Sequence, residues 1–181
     1  MKKITMILTV LTLTVGAVNA QKAYEQGSKV IHLWAGFAPT LGGNLAGLGY
    51  SSSTSLPLAG SFEYGVSEKI SVGLFGGSTS TSVTDGSGNG FKESYLVIGA
   101  RLSRHFSTGD KFDPYYGVMI AYNKVSVSDI GSNGSGSAVA ASGLLPGGYL
   151  GANYYFTDNI GINGEIGYGV SLVNLGVVVK F

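Results

Sequence analysis

The chain has no cysteine. That removes disulfide frameworks, thiolate metal sites and thiol nucleophiles together. Charge is nearly as scarce: only 12% of the 181 residues are charged, about half the usual share. The formal net charge of +1 leaves no basic footprint for nucleic acid. There are four prolines. No apolar run of about 18 residues follows Ala20, so no transmembrane helix is expected. The chain is still not poor in apolar residues. A 44% hydrophobic share argues against disorder. Glycine is abundant, with 30 residues and no every-third period, which excludes collagen. No repeat of fixed length supports a solenoid or propeller.

The first twenty residues read as an address. Met1-Lys2-Lys3 is a positive start, Ile4 to Val18 is apolar and uncharged, and Val18-Asn19-Ala20 places small residues at a cleavage site. This predicts a secretory signal peptide over residues 1–20, cut before Gln21, and a single domain over 21–181. The apolar stretch is short for a membrane-spanning helix.

Beyond it the hydrophobic period is two. Ile70, Val72 and Leu74 alternate, as do Ile160, Ile162, Gly164, Ile166 and Tyr168, and Val173, Leu175, Val177, Val179 and Phe181. Such alternation marks strands with two unlike faces. Eight strands are expected, at about 29–38, 56–66, 69–78, 92–106, 113–127, 142–156, 159–168 and 173–181, with residues 22–28 a polar lead-in. Connections alternate in kind. Glu68-Lys69, Ser107 to Phe112 and Thr157-Asp158-Asn159 are short. Pro39 to Ser55, Thr79 to Phe91 and Ser128 to Ala141 are long, soft and rich in Ser, Gly, Thr and Asn. An even number of strands, with short turns at one end and longer loops at the other, is the pattern of a transmembrane barrel.

The placement of charge decides which face meets what. Leu96, Ile98, Ala100 and Leu102 share a face, as do Tyr116, Val118, Ile120 and Tyr122, and Leu144, Leu150, Tyr154 and Phe156. The opposite faces carry Glu63, Arg101, Asn123, Asn153, Asn163, Glu165 and many glycines. A water-exposed surface normally holds roughly 25% charge or more. The polar face here has too little for that and suits a cramped lumen, so the apolar face is read as turned to lipid. A soluble lipocalin-like carrier would need the faces reversed. Tyr64, Phe106, Tyr154, Phe156 and Phe181 near the short turns, with Phe37, Tyr122 and Tyr168 near the long loops, read as two interfacial belts. Trp34 is expected in the wall or a belt.

Three stretches carry a family resemblance. They are Gly147-Gly-Tyr-Leu-Gly-Ala-Asn-Tyr-Tyr-Phe-Thr-Asp-Asn-Ile-Gly, Glu165-Ile-Gly-Tyr-Gly, and the terminal Leu175-Gly-Val-Val-Val-Lys-Phe181. Asp113-Pro-Tyr-Tyr-Gly-Val fits the start of a strand after a periplasmic turn. In these the chain resembles the small eight-stranded outer-membrane β-barrel proteins of Gram-negative bacteria, of the OmpX, OmpW and OmpA-barrel type. The resemblance implies an all-β, antiparallel, up-and-down transmembrane barrel with a periplasmic N-terminus and its long loops outside. It also implies that Phe181 is similar to the signal read by the barrel-assembly machinery. Fold of this kind does not fix function.

Glu63, Arg101 and Glu165 are the notable lumen charges. A barrel of eight strands is only wide enough for side chains to fill, so these three are expected to form a Glu–Arg–Glu cluster across it. A buried charge is paired or costly. Glycosidase chemistry from the paired carboxylates has no sugar cleft to support it. Ser103-Arg104-His105 hints at a Ser/His hydrolase, but there is no G-x-S-x-G elbow and the site falls at the periplasmic end. His32 and His105 are too far apart for a metal site. Asp85-Gly-Ser-Gly-Asn-Gly90 lacks the acidic ligands of a calcium loop and reads as a flexible external loop. No enzyme, cofactor or metal is expected. The expected partners are outer-membrane lipid, the assembly machinery and an extracellular partner at the Ser/Gly-rich loops. The function expected is structural or surface-presenting, with a largely filled lumen. The alternative is a narrow porin-like channel for ions or small solutes, for which Gly73, Gly99, Gly117, Gly151, Gly161 and Gly167 would leave room.

Overall fold

The computed structural model describes residues 22–42, 50–106, 109–131 and 137–181. The expected signal peptide, residues 43–49 of the first long loop, 107–108 of a short connection and 132–136 of the third long loop lie outside these residues. Within them the chain forms strands β1 (Lys29–Pro39), β2 (Ser51–Thr54), β3 (Leu58–Gly65), β4 (Ile70–Thr84), β5 (Gly90–His105), β6 (Phe112–Ile130), β7 (Ser137–Tyr155), β8 (Ile160–Gly167) and β9 (Ser171–Lys180). All pairings are antiparallel: β1 pairs with both β3 and β9, and β4 with β5, so the sheet closes on itself. At the seam Lys29 N–H donates to Phe181 O at 3.0 Å and Phe181 N–H donates back to Lys29 O at 2.9 Å.

The closed barrel has eight strand positions, because β2 and β3 both pair with β4 and share one of them. The strand expected at 56–66 is β3, and β2 is an added piece within the expected loop from Pro39 to Ser55, parted from β3 at Ser55–Pro57. Pro57 has no N–H to give the ladder. Its carbonyl instead accepts from Gly36 N–H at 2.8 Å, and Ser55 bonds across to Ser80 through backbone and hydroxyl.

The long connections also differ from the soft loops expected. β4 and β5 run on as a ladder to Thr84 and Gly90, leaving only Asp85 to Asn89 as the turn. Asp85 Oδ1 accepts from Ser87 and Asn89 N–H, and Gly88 takes a positive φ of 81°. The calcium-like stretch is therefore a tight Asx-type hairpin. β6 and β7 likewise extend to Ile130 and from Ser137. Residues that looked loop-like are polar because this part of the strands stands above the apolar band.

Cross-strand registers stack the outward residues in rows. From the short-turn end they read Ile70–Arg104–Tyr116, Tyr64–Val72–Leu102–Val118, Phe62–Leu74–Ala100–Ile120, Gly60–Gly76–Ile98–Tyr122 and Leu58–Ser78–Leu96–Lys124. Above these the rows are Ser and Lys: Ser80–Ser94–Ser126, then Ser82–Lys92–Ser128. Apolar side chains of the lower rows are exposed, with Leu74 at 67%. The band runs from Leu96 to Arg104 of β5, eight rises or about 27 Å along the strand, which at a tilt of roughly 40° is about 20 Å of height, the scale of the roughly 25 Å apolar band of a membrane barrel. The aromatic residues assigned to the two belts are all exposed.

The lead-in at 22–28 is folded against the short-turn end. Ala23 and Tyr24 are buried, Ala23 N–H donates to Gly109 O, and Gly27 N–H donates to Gly65 O. Ala23 packs with Val30, Tyr155 and Val178. At the opposite end the β8–β9 turn tucks Val170 (1% exposed) down onto Trp34 and Phe75.

The outward rows predict the cost of charge. Leu74→Arg, in the middle of the band, should destabilise the lipid-folded barrel by about 2–4 kcal/mol, while Ser82→Arg above it should be close to neutral. Urea unfolding from vesicles checks both; equal effects would deny the lipid-facing assignment.

Candidate functional site in the barrel lumen

Every second residue of each strand points inward, and these positions hold the charge. Arg101 on β5 is the centre. Its Nη2 donates to Glu165 Oε2 on β8 at 2.5 Å, and its Nε lies 3.3 Å from Glu63 Oε1 on β3, an ion-pair distance without hydrogen-bond alignment. All three side chains are buried, Arg101 at 3% exposure. The guanidinium carbon also stands 3.9 Å from the Tyr149 ring centroid and 5.1 Å from that of Trp34. The registers show how this reach is possible. Glu63 and Arg101 flank Gly73 on β4, whose missing side chain leaves the space that Glu63 Cγ uses, 2.6 Å from where a Cβ would stand.

A second set of polar residues forms a ring nearer the short-turn end. His105 Nδ1 is 2.9 Å from Asp113 Oδ2, and its Nε2 is 3.0 Å from Ser71 Oγ. Ser71 Oγ donates to Glu63 Oε2 at 2.6 Å. From Glu63 the path returns through Ser61 Oγ to His32 Nδ1, from His32 Nε2 to Asn153 Oδ1, and from Asn153 Nδ2 to Asp113. Seven side chains thus close a circuit around the wall and meet the Arg101 cluster at Glu63. Asn163 joins the two levels: its Nδ2 is within hydrogen-bond distance of Tyr115 Oη and Asn153 Oδ1, while Tyr115 donates to Glu165.

Trp34 is in this lumen, which corrects its placement in the wall or belt. The outward face of β1 is apolar, with Ile31 and Leu33, and its inward face mixes Val30 and Trp34 with His32, so alternation alone does not settle the orientation of the indole. The indole N–H does: inside it donates to Asn163 Oδ1 at 2.5 Å, a partner that lipid lacks. His32 stacks against it with ring centroids 5.1 Å apart. The pairing suggested by Ser103-Arg104-His105 does not form. The Ser103 and His105 side chains both point into the lumen, but Ser103 bonds across it to Glu63 on β3 and Tyr149 on β7, while His105 turns to Asp113 and Ser71. Asp113, Asn153 and Asn163 complete the network without having been singled out as a set. Lys180 is buried and donates to the carbonyls of Lys22 and Ala23, which ties the last strand to the lead-in.

The short-turn mouth is covered by Tyr24. Its ring stacks on His105 with centroids 3.7 Å apart and 3° between planes, and its hydroxyl donates to Ser67 O at 3.2 Å. Burial, with Asp113 and Glu63 adding to it, pushes the phenol above its ordinary range, so it stays a donor. Outside this cover a cavity of about 520 Å³ opens to solvent between Lys22, Gln26 and Glu68.

A closed antiparallel barrel with an apolar outer band and a polar, charged interior defines a membrane-spanning β-barrel protein. The chain belongs to the family described as outer membrane protein beta-barrel domain, which matches residues 8–181. No curated protein sequence matches significantly. Among solved structures it is similar to the outer membrane protein OprG of Pseudomonas aeruginosa, at 16% identity and TM-score 0.61, covering 88% of this chain and 98% of that one. The N-terminal β-barrel domain of OprF from the same organism gives 16% identity and TM-score 0.55 over 87% and 99%. Ail, the attachment invasion locus protein of Yersinia pestis, crystallised with the heparin analogue sucrose octasulfate, gives 12% and 0.51 over 86% and 95%. At these identities the likeness is one of fold. The protein resides in the bacterial outer membrane.

Arg101→Ala should destabilise the barrel by about 3–5 kcal/mol, because it strands two buried carboxylates. Combining Arg101→Met with Glu63→Gln and Glu165→Gln should recover much of that loss. Heat-modifiable migration in detergent reads both, and an unchanged transition in Arg101→Ala would remove the cluster from any structural role.

Proposed function

We propose that the protein is a plugged outer-membrane barrel with a structural and surface-presenting role and no catalytic step of its own. The observation that carries this is the state of the lumen at Arg101. The space left among Phe75, Arg101, Met119, Tyr149 and Glu165 is about 10 Å³, room for roughly one water molecule. The inward glycines do not open a path. Gly117 and Gly167 give up their volume to Tyr149, and Gly151 to the Tyr115 ring, each 2.3–2.6 Å from where a Cβ would stand. Buried Tyr24 beneath and Val170 above are consistent with closure at both ends.

The run Asp113–His105–Ser71 has the connectivity of a hydrolase triad, yet its geometry argues for a structural role. Ser71 spends its proton on Glu63, and Tyr24 lies over the imidazole. A nucleophile needs its hydroxyl free for the base and open to substrate. In a plugged barrel the parts available to partners are the strand ends. β4 rises six residues past Ser78, about 20 Å along the strand, and presents Ser and Thr with few charges. An extracellular partner would meet this ladder.

Phe181 supports a role in assembly. It sits outward at the rim, beside the Lys29 seam where the first and last strands close. Refolded wild-type protein in a planar bilayer should be electrically silent; stable discrete steps would overturn the plugged reading in favour of a narrow channel. Deleting Phe181 should sharply reduce the heat-modifiable form in cell envelopes, whereas normal insertion would deny it the role of assembly signal.

A further inference from the structure

The outer wall carries a groove that the lumen reading leaves unexplained. It lies where the apolar band gives way to polar rows at the long-loop end. Two adjacent rows build it across four neighbouring strand positions: Leu58–Ser78–Leu96–Lys124, and directly above it Ser80–Ser94–Ser126, with Ser55 bonded to Ser80. The hollow measures about 540 Å³ and is open along one side. Two features shape it. The strand break at Ser55–Pro57 lifts Leu56 out as a rim, and the serines are short where the leucines beside them are long. Below the floor, Gly76 has nothing within 4 Å of where a Cβ would stand, so the wall is recessed there too.

The chemistry of this hollow is mixed in a definite order. Serine hydroxyls form the upper row, Lys124 and Ser78 share the lower row with Leu58 and Leu96, and the glycine recess lies beneath that row on the lipid side. Among the described residues no carboxylate lies within ion-pair distance of Lys124, and its side chain is exposed. A second outward lysine, Lys92, stands two rows higher on β5. A cation with hydroxyl donors at an interface and apolar surface beneath it complements an amphiphile with an anionic head and hydrocarbon tail. We infer that this groove is a docking site for a phosphate-bearing lipid of the leaflet at the long-loop end, with the phosphate at Lys124 and the serines and an acyl chain against Leu58, Leu96 and the Gly76 recess. The site is on the wall, so it stands or falls independently of whether the lumen conducts.

The test uses the full-length mature barrel refolded in phosphatidylcholine nanodiscs doped with either phosphatidylglycerol or a diphosphorylated glucosamine lipid. Native mass spectrometry then counts retained anionic lipid. The wild type should keep one anionic lipid after release from the disc. Lys124→Glu should lower that occupancy by about tenfold, and Ser94→Trp, which fills the hollow without changing charge, should lower it comparably. Arg104→Glu, outward at the opposite boundary, should leave it unchanged. All variants are first checked for heat-modifiable migration, which reports folding separately from binding. Equal retention by wild type and Lys124→Glu would overturn the proposal, as would equal losses in Lys124→Glu and Arg104→Glu. Displacement of the lipid by millimolar inorganic phosphate would mark a plain anion site and overturn the lipid assignment.

Discussion

The constraint on which the structure depends is that hydrocarbon offers no partner to a backbone N–H or C=O. A sheet in lipid must therefore close. Here closure is made by the ladder between β1 and β9 and finished by the reciprocal pair between Lys29 and Phe181. Once closed at eight positions, the sheet sets a lumen of fixed and small width. Everything inside has to be accommodated in that width, and everything outside has to tolerate lipid. The distribution of apolar, polar and glycine residues follows from these two demands.

Inside, width is managed by setting large residues beside absent ones. Trp34 is level with Gly176, Tyr149 with Gly117 and Gly167, Tyr115 with Gly151, and Arg101 with Gly73. At Gly176 the need is the neighbouring backbone's: a Cβ there would meet the Leu33 carbonyl oxygen and stand 2.9 Å from Trp34 Cα. This accounts for a glycine content that composition alone leaves ambiguous. Polar groups face the same restriction. With little water, each buried donor needs a side-chain acceptor, and the circuit from Asp113 through His105, Ser71, Glu63, Ser61, His32 and Asn153 meets that need with protein atoms alone. One guanidinium between two carboxylates then couples β3, β5 and β8, elements that no backbone ladder joins directly.

Much of this was legible in the sequence, because the period of two is a direct image of the pleat. The alternation around Leu74, Ile98, Val118 and Ile162 located the strands and their outer face. The scarcity of charge on the other face separated a lumen from a water-exposed surface. Three things resisted. The break at Pro57 needed the knowledge that the residues upstream resume pairing with β4. The extent of β4 to β7 was hidden because Ser, Thr and Gly look like loop residues wherever both faces of a strand are polar. Trp34 was misplaced although His32 shares its face, because the partner that holds it inward, Asn163, lies on a strand far along the chain. Asn153 was placed on the polar face and Asp113 at a strand start, but their bonds to each other and to the two histidines were not foreseen. Their roles come from cross-barrel neighbours that sequence spacing does not reveal.

The packing inside has a consequence for where selection can act. Where Tyr149, Tyr115 and Glu63 fill the space of neighbouring glycines, few single substitutions fit, since enlarging one side requires shrinking another. The network around Arg101 is restricted in the same way by its unpaired alternatives. The outer band must remain apolar but is indifferent to which apolar residue it holds. That leaves the polar rows above Ser78, the hairpin at Asp85–Asn89 and the boundary groove as the surfaces free to acquire specificity. On the plugged reading proposed above, recognition would belong to the wall and the strand ends, with the lumen network holding both in place.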